Sequence, residues 1–339
     1  MIGNRIRLAR MANGLSLQQL ADCMKKRGVA FTKTSLYNYE SNITTPSQQI
    51  LDTFAEILGV NRHFFMHDTP EGFSINLKNP LGSVEARRQE ILSYMQIQLE
   101  YLISVIDASD DNCSPLPLGL PAPIAADTPA EAETAADSLR KLWQMGDLPI
   151  ASVCALLERN GWFLFELPEL FNWDYISGVE ESHNIHFIFF SRDYHVDELR
   201  MGLLKEFGRH IITCQPDRED ELLTAFAGSL LFSKSTIFQD VGKSRTFIDK
   251  EELKCLKQKY GISRIEILKR LENCGVIDGQ THYEIAQHLN QTYFIARSYL
   301  HIVQLDFFEE PTRINLMVRR LLSEKKIPDE EALDYSRIV

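Results

Sequence analysis

Two stretches carry side chains whose types and spacing could do chemistry. The first runs Thr32-Lys33-Thr34-Ser35-Leu36-Tyr37-Asn38-Tyr39-Glu40, with apolar anchors at Leu36 and Tyr39 among short polar, basic and amide side chains. A helix of that pattern docks by a narrow stripe and turns donors and acceptors outward, where they can meet base edges in a major groove about 12 Å wide. The second stretch holds Glu206, His210 and Cys214 at four-residue steps, and beside them the cations Lys205 and Arg209 at the same step. On one helix the first row could ligate a metal, or His210 could be an ordinary exposed or capping side chain. His183, His186 and His195 fall into no ligand spacing, and neither a Gly-rich phosphate loop nor a GxSxG elbow occurs.

The first stretch needs neighbours to hold it, and four helical patterns fit between Ile2 and Met66. Ile6, Leu8, Ala9 and Met11 give a first amphipathic segment that ends at Asn13-Gly14. Ser16, three residues before Gln19, opens a second through Leu20, Ala21 and Met24 with a capping-box start, and Gly28 stops it. After the segment at 32–40 and a turn from Asn42 to Pro46, a fourth helix runs through Ile50, Leu51, Phe54, Ala55, Ile57 and Leu58.

The order of an Arg-rich first helix, LSLQQLA, TKTSLYNYE, a Pro-ended turn and ILDTFAEILGV resembles the lambda-repressor-like XRE family of helix-turn-helix domains. It departs from the common pattern by extra residues at Lys26 to Ala30 and by Ser41 where a Gly often follows the Glu. The resemblance implies that Thr32, Lys33, Thr34, Ser35, Tyr37 and Asn38 reach DNA. Lys33 and the hydroxyls suit phosphates or guanine, and Asn38 suits an adenine edge. It also implies a double-stranded operator bound by a homodimer on two half-sites. The alternative is a four-helix domain that has lost DNA binding and mediates protein contacts only.

Residues 84 to 107 place Ile91, Leu92, Met95, Leu99, Leu102 and Ile106 at helical spacing, with Arg87, Arg88 and Glu90 on the other side. Such a helix either packs against the chain's own second domain or serves as a dimer helix. From Asp110 to Ala136 five of the thirteen prolines occur among apolar residues without a period, which reads as a linker or surface-draped loop. Beyond it, two short helices lead to a strand at Trp162 to Glu166, a strand closing at Val179, and HNIHFIFFS with Ile185, Phe187 and Phe189 alternating. A helix from Val196 to Thr213 and another from Glu219 to Phe232 follow.

This order, with SRDYHVDELRMGLLKEFGRHIIT, DELLTAFAGSLLF and the later KQKYGISRIEILKRLENCGVI, resembles the ImmA/IrrE family of zinc metallopeptidases over roughly residues 137 to 277. Active members carry H-E-x-x-H on the central helix, two His binding zinc and the Glu polarising water, with a downstream acid completing the site. The matching residues here are Lys205-Glu206-Phe207-Gly208-Arg209, with cations at both histidine positions. Lys and Arg offer no lone pair and repel a divalent ion, so the resemblance implies a pseudo-peptidase in which Glu206 is vestigial. In that frame Lys205 and Arg209 either stand in for the metal's charge, pairing with Glu219, Asp220 or Glu221 at the place of the third ligand, or are solvated surface charges. The row of Glu206, His210 and Cys214 points away from the family's cleft.

Residues 246 to 277, with Ser263 three before Glu266 and Ile262, Ile265, Leu268 and Leu271 in a row, resemble a winged-helix-like element, and two more helices are expected after it. The fold class is therefore mostly α with a small β-sheet (α+β). An all-α helix-turn-helix domain at 1–68 is followed by an amphipathic helix and linker at 69–136, a zincin-like α+β domain at 137–235 and a helical region at 236–339.

Composition agrees with this division. The 339 residues, 44% hydrophobic and 24% charged, are ordinary for globular protein, and their length suits two or more cores. The net charge is -11, yet residues 1 to 67 hold eight Lys or Arg against four Asp or Glu, which leaves +4 there and -15 after it. A basic head on an acidic body suits a DNA-binding module fused to one that does not bind DNA. Cys23, Cys113, Cys154, Cys214, Cys255 and Cys274 form no CxxC pair or disulfide framework. With no secretory start and no run of about 18 apolar residues, a cytoplasmic protein away from membranes is expected. The function expected is a transcriptional regulator, a repressor, with no cofactor and no bound metal. Its second part senses a protein or small-molecule effector, binds a partner or supports dimerisation. The alternatives are an active metallopeptidase that cleaves a repressor and an interaction module of a toxin-antitoxin-like pair.

Overall fold

The computed structural model describes residues 2–78, 85–109, 122–171, 173–296 and 307–327. In chain order the helices and strands of the first half are α1 (Ile2–Ala12), α2 (Leu17–Lys26), α3 (Lys33–Glu40), α4 (Gln48–Leu58), β1 (Ile75–Leu77), α5 (Glu85–Ala108), β2 (Ile124–Ala125), α6 (Pro129–Leu142), α7 (Val153–Arg159) and β3 (Phe163–Glu166). The second half continues with β4 (Tyr175–Glu180), β5 (Ile185–Phe190), α8 (Val196–Gly208), β6 (Ile212–Thr213), α9 (Glu219–Leu231), α10 (Lys234–Asp240), α11 (Lys250–Tyr260), α12 (Arg264–Asn273), α13 (Gly279–Ala296) and α14 (Arg313–Ser323). The mix of many helices and a small sheet is the α+β class expected. No helix among the described residues is long and apolar enough to cross a membrane.

Contacts divide the chain into two compact units, Met1–Pro115 with Phe163–Ser191 and Pro311–Val339, and Leu116–Trp162 with Arg192–Glu310. The strands at 163–191, which the sequence groups with the helices after them, therefore belong to the unit that holds the basic head. Contacts between segments about a hundred residues apart, the pairing of β1 with β4 among them, make that assignment, and no local pattern encodes them.

In the first unit, α1 to α4 and a 3-10 turn at Arg62–Phe65 enclose Ile6, Ala9, Leu20, Met24, Leu36, Leu51, Phe54, Leu58 and Phe65. The expected capping box forms, with Ser16 accepting from Gln19 N at 3.2 Å and Gln19 Oε1 accepting from Ser16 N at 2.8 Å. The extra residues after α2 make a Schellman ending. Gly28 takes φ +83°, its N–H reaches Lys25 O at 3.0 Å and the Val29 N–H reaches Met24 O at 3.1 Å.

The four-stranded sheet has the order β1-β4-β5-β3, with β4 antiparallel to both β1 and β5 and β3 parallel to β5. Phe163, Phe165, Phe187 and Phe189 pack with Ile91, Met95, Leu99 and Leu102 of α5 and with Ile314, Val318 and Leu321 of α14. Ile97 of α5 belongs instead to the core of the head, and Tyr94 and Tyr101 pack against both cores. The helix therefore packs on its own chain, against the head and against the strands expected in the second domain.

In the second unit α9 packs against α6, α8 and α12. Buried arginines satisfy the last carbonyls of α9, Arg140 at Leu230 O and Arg270 at Phe232 O. Arg200 is wholly buried and pairs with Glu309, which also accepts from Val153 N and Cys154 N at 2.9 Å each.

Four expectations need correction or placing. Residues 129–136, read as loop, are the first turns of α6, because Thr128 caps it, Pro129 sits at its start and Glu131 completes a capping box. The stretch 110–121 of the same expected linker lies outside the described residues. The helix at 196 ends at Gly208, and Ile212–Thr213 pairs in parallel with Ile124–Ala125 as a short strand instead. Around 246–277 a helix pair forms, with Ser263 capping α12 as expected, but no strand occurs among the described residues after it to make a wing. Of the two helices expected near the end, α13 and α14 are formed, and the residues after 327 lie outside the described ones.

Candidate nucleic-acid interface

Helix α3 is fixed at both ends by side chains from its own stretch. At its start Thr32 Oγ1 accepts from Ser35 N at 3.1 Å and lies 3.0 Å from Ser35 Oγ. At its end Glu40 is buried and takes two bonds from the Arg10 guanidinium, 2.5 Å to Oε1 and 2.9 Å to Oε2, while Arg10 also donates to Leu15 O at 2.5 Å. One cation thus ties α1, α3 and the turn before α2 together, a bidentate geometry only Arg provides. α1 crosses α3 at Gly3, where a Cβ would collide with Tyr39 O, and Gly3 N donates to Asn42 Oδ1 at 2.9 Å. Asn42 reaches it from a left-handed conformation at φ 57°.

These anchors leave the opposite face of α3 in solvent. Lys33 and Thr34 are exposed and Tyr37 is 55% exposed, whereas Ser35 and Asn38 are half-buried and only Leu36 is buried among the predicted stretch's first seven residues. The six residues expected at DNA therefore sort into two kinds. The side chains of Lys33, Thr34, Tyr37 and Asn38 make no polar contact among the described residues. The Thr32 and Ser35 hydroxyls are joined in the cap and keep only their spare hydrogen-bonding capacity.

The electrostatics follow the same division. Of the eight cations of the head, Arg5 pairs with Glu100, Arg10 with Glu40, Arg27 with Glu56 and Arg62 with Asp52. Arg7, Lys25, Lys26 and Lys33 are exposed with no ion pair among the described residues. Lys25 and Lys26 end α2 and Lys33 begins α3, so three of these four lie on either side of one short connection. In the sequence Arg5 and Arg10 are simply two of the eight cations of the basic head. Arg5 is in fact buried, donating to Glu100 at 2.5 Å and to Phe64 O at 3.1 Å with its guanidinium 3.7 Å over the Phe64 ring. Nothing in the sequence signals a partner 95 residues away.

The second candidate stretch is built differently. Lys205 and Glu206 are in the last turn of α8 and Arg209 caps it, facing the first turn of α9. Lys205 pairs with Asp220, and Arg209 pairs with Glu219 and, at 3.0 Å, with Glu206. The hydrogen bond from Lys205 holds the Asp220 carboxyl below its ordinary pKa. Burial works against the Arg209 charge, but the Glu219 and Glu206 carboxylates outweigh it and raise its pKa. His210 lies past the helix, edge-on to Trp162 at 4.6 Å, and Cys214 follows β6, so these two do not continue a row from Glu206 on one helix. Gly208 is where α8 and α9 approach, since a Cβ there would sit 3.0 Å from Leu223 and Phe226. Among the described residues no three His, Cys, Asp or Glu side chains converge as a metal-holding group. The cysteines described, Cys23, Cys154, Cys214, Cys255 and Cys274, are unpaired.

A helix-turn-helix family model matches residues 6–65, from the middle of α1 through the 3-10 turn, so the head is a helix-turn-helix domain. No curated protein and no solved structure matches the chain.

Proposed function

We propose that the protein is a sequence-specific transcriptional regulator, a repressor, that reads a duplex operator by laying the outer face of α3 in the major groove. The observation that carries this reading is the sorting of charge in a helix-turn-helix head. Arg5 and Arg10 are tied up in buried pairs and Arg27 and Arg62 in surface pairs, and Lys33, Lys25, Lys26 and Arg7 are left exposed without one among the described residues. Lys33 meets a phosphate or guanine, Asn38 an adenine edge, and Thr34 and Tyr37 the adjacent edge or backbone. A homodimer sets two such helices on half-sites about 10 bp apart.

The rest of the chain acts as a degenerate ImmA/IrrE-type peptidase that senses an effector, binds a partner or supports dimerisation. Supporting this is the engagement of both cations at the family's ligand positions, Lys205 with Asp220 and Arg209 with Glu206 and Glu219, which leaves no neutral ligand there for zinc. Hydrolysis by the family mechanism is then absent, because Glu206 has no acidified water to use.

The test is selection of a binding site from a random duplex library with the whole chain, followed by titration of Lys33→Ala and Asn38→Ala, with zinc measured on the same sample. Site-selective binding weakened by both substitutions supports the reading. An empty selection with about one zinc per chain would overturn it in favour of a peptidase.

A further inference from the structure

Helix α5 begins outside the matched helix-turn-helix segment, yet it runs beside it. α1 and α5 are antiparallel. Arg5 meets Glu100 near one end, and at the other a Cβ on Gly14 would lie 3.8 Å from the Glu90 carboxylate. The five residues of α5 before Glu90 carry it about 7 Å further, past the end of α1 and alongside the start of α2. There Gln89 and Glu90 share a cleft of about 580 Å³ with Ser16 and Gln19, the capping pair of α2. In helix-turn-helix docking the recognition helix enters the groove while the helix before it crosses the sugar-phosphate backbone. The first turn of α5 is therefore next to the element that meets the backbone.

That turn carries Arg87 and Arg88. Both are exposed and neither has an ion-pair partner among the described residues, unlike the four paired cations of the head. Arg87 lies one turn before Glu90, the residue on the cleft. We propose that Arg87 and Arg88 bind backbone phosphates of duplex DNA on the flank of the site read by α3, so that the DNA-binding surface extends beyond the helix-turn-helix domain onto α5. The proposal rests on the DNA-binding reading. Guanidinium forks suit phosphate oxygens and carry no base sequence, so the contact adds affinity and register without changing which bases are read.

The experiment uses the whole chain and a mixed-sequence 40-bp duplex, titrated by fluorescence anisotropy across a salt series beginning near 50 mM. Wild type is compared with Arg87→Ala/Arg88→Ala, with the charge-conserving Lys double variant, and with Lys250→Ala/Lys254→Ala as a control of equal charge. Loss of two phosphate contacts lowers the magnitude of the log-log salt slope by about 2 and weakens low-salt binding about tenfold or more. The Lys variant keeps most of the slope and the control keeps all of it. The Arg side chains are exposed, so the thermal midpoint stays where it was. Wild-type binding with the same slope in the Ala double variant overturns the proposal and leaves the DNA-binding reading standing, as does an equal loss in the control. Failure of wild type to bind any duplex at low salt overturns both.

Discussion

The two candidate stretches each set cations one helical turn from further polar groups, and the molecule treats them in opposite ways. On α8 and its cap, Lys205 and Arg209 are consumed by carboxylates from α9 and from Glu206. On and around α3, the charges that could be consumed are consumed elsewhere in the head, and Lys33 is left without a partner among the described residues. An unpaired surface cation costs nothing to fold and is available to an anion, whereas a paired one must first break its pair. The contrast teaches that residue type alone does not mark a binding site. Arg5 and Lys33 read alike in sequence, but one is an internal tie and the other an open charge.

Single substitutions test this division between ties and open charges. The largest effect is expected at Glu100, whose removal in Glu100→Ala leaves Arg5 buried without its counter-charge. Urea unfolding should lose about 3–5 kcal/mol, and a loss under about 1 kcal/mol would mean that Arg5 is not the tie described. Next comes Lys33→Ala, with an expected loss of about 1–3 kcal/mol in binding to a selected duplex and an unchanged thermal midpoint. An equal fall in stability would place Lys33 among the ties. Thr32→Ala should cost about 1 kcal/mol of stability through the lost cap on Ser35 N, and Thr32→Ser should restore it. If Thr32→Ala instead weakened binding alone, the hydroxyl would belong to the open face.

The smallest effect is expected at the Lys205 and Asp220 pair, where the Lys side chain is 25% exposed and the Asp side chain 88%. Asp220→Asn should cost at most about 1 kcal/mol, less in high salt. Because the Asp220 pKa is lowered in the folded chain, its contribution is present above the ordinary carboxylate pKa and fades as pH falls through the lowered value. Stability of wild type and variant should converge in that acid range, and a constant gap down to low pH would exclude the ion pair as its source.

Local chemistry made the head and the strand at 185–190 legible. The capping box at Ser16, the stops at Gly14 and Gly28, and the alternation of Ile185, Phe187 and Phe189 each act within a few residues, and each predicted element formed. The illegible parts are long-range or compete with a stronger local cue. Five prolines suggested a loop and hid the Thr128, Pro129 and Glu131 start of α6. The Arg5 and Glu100 pair, and the joining of strands 163–191 to the unit of the head, depend on contacts across about a hundred residues. On α8 the periodic row continued in sequence past Gly208, but pairing of Ile212 and Thr213 with Ile124 and Ala125 ended the helix early. The pairing of Lys205 and Arg209 with acids at the start of α9 was anticipated, through the positions a resemblance supplied.

The sharing of Tyr94 and Tyr101 by two cores bears on modularity. Helix-turn-helix domains are commonly treated as cassettes that can be cut at their ends and grafted onto other proteins. Here the sequence boundary near residue 65 is not a boundary in packing, since Ile97, Tyr94 and Tyr101 of α5 complete the head's interior and Glu100 neutralises its buried Arg5. A graft of residues 1–68 alone would expose Phe64 and strand that charge, so the smallest transplantable cassette of this head includes α5.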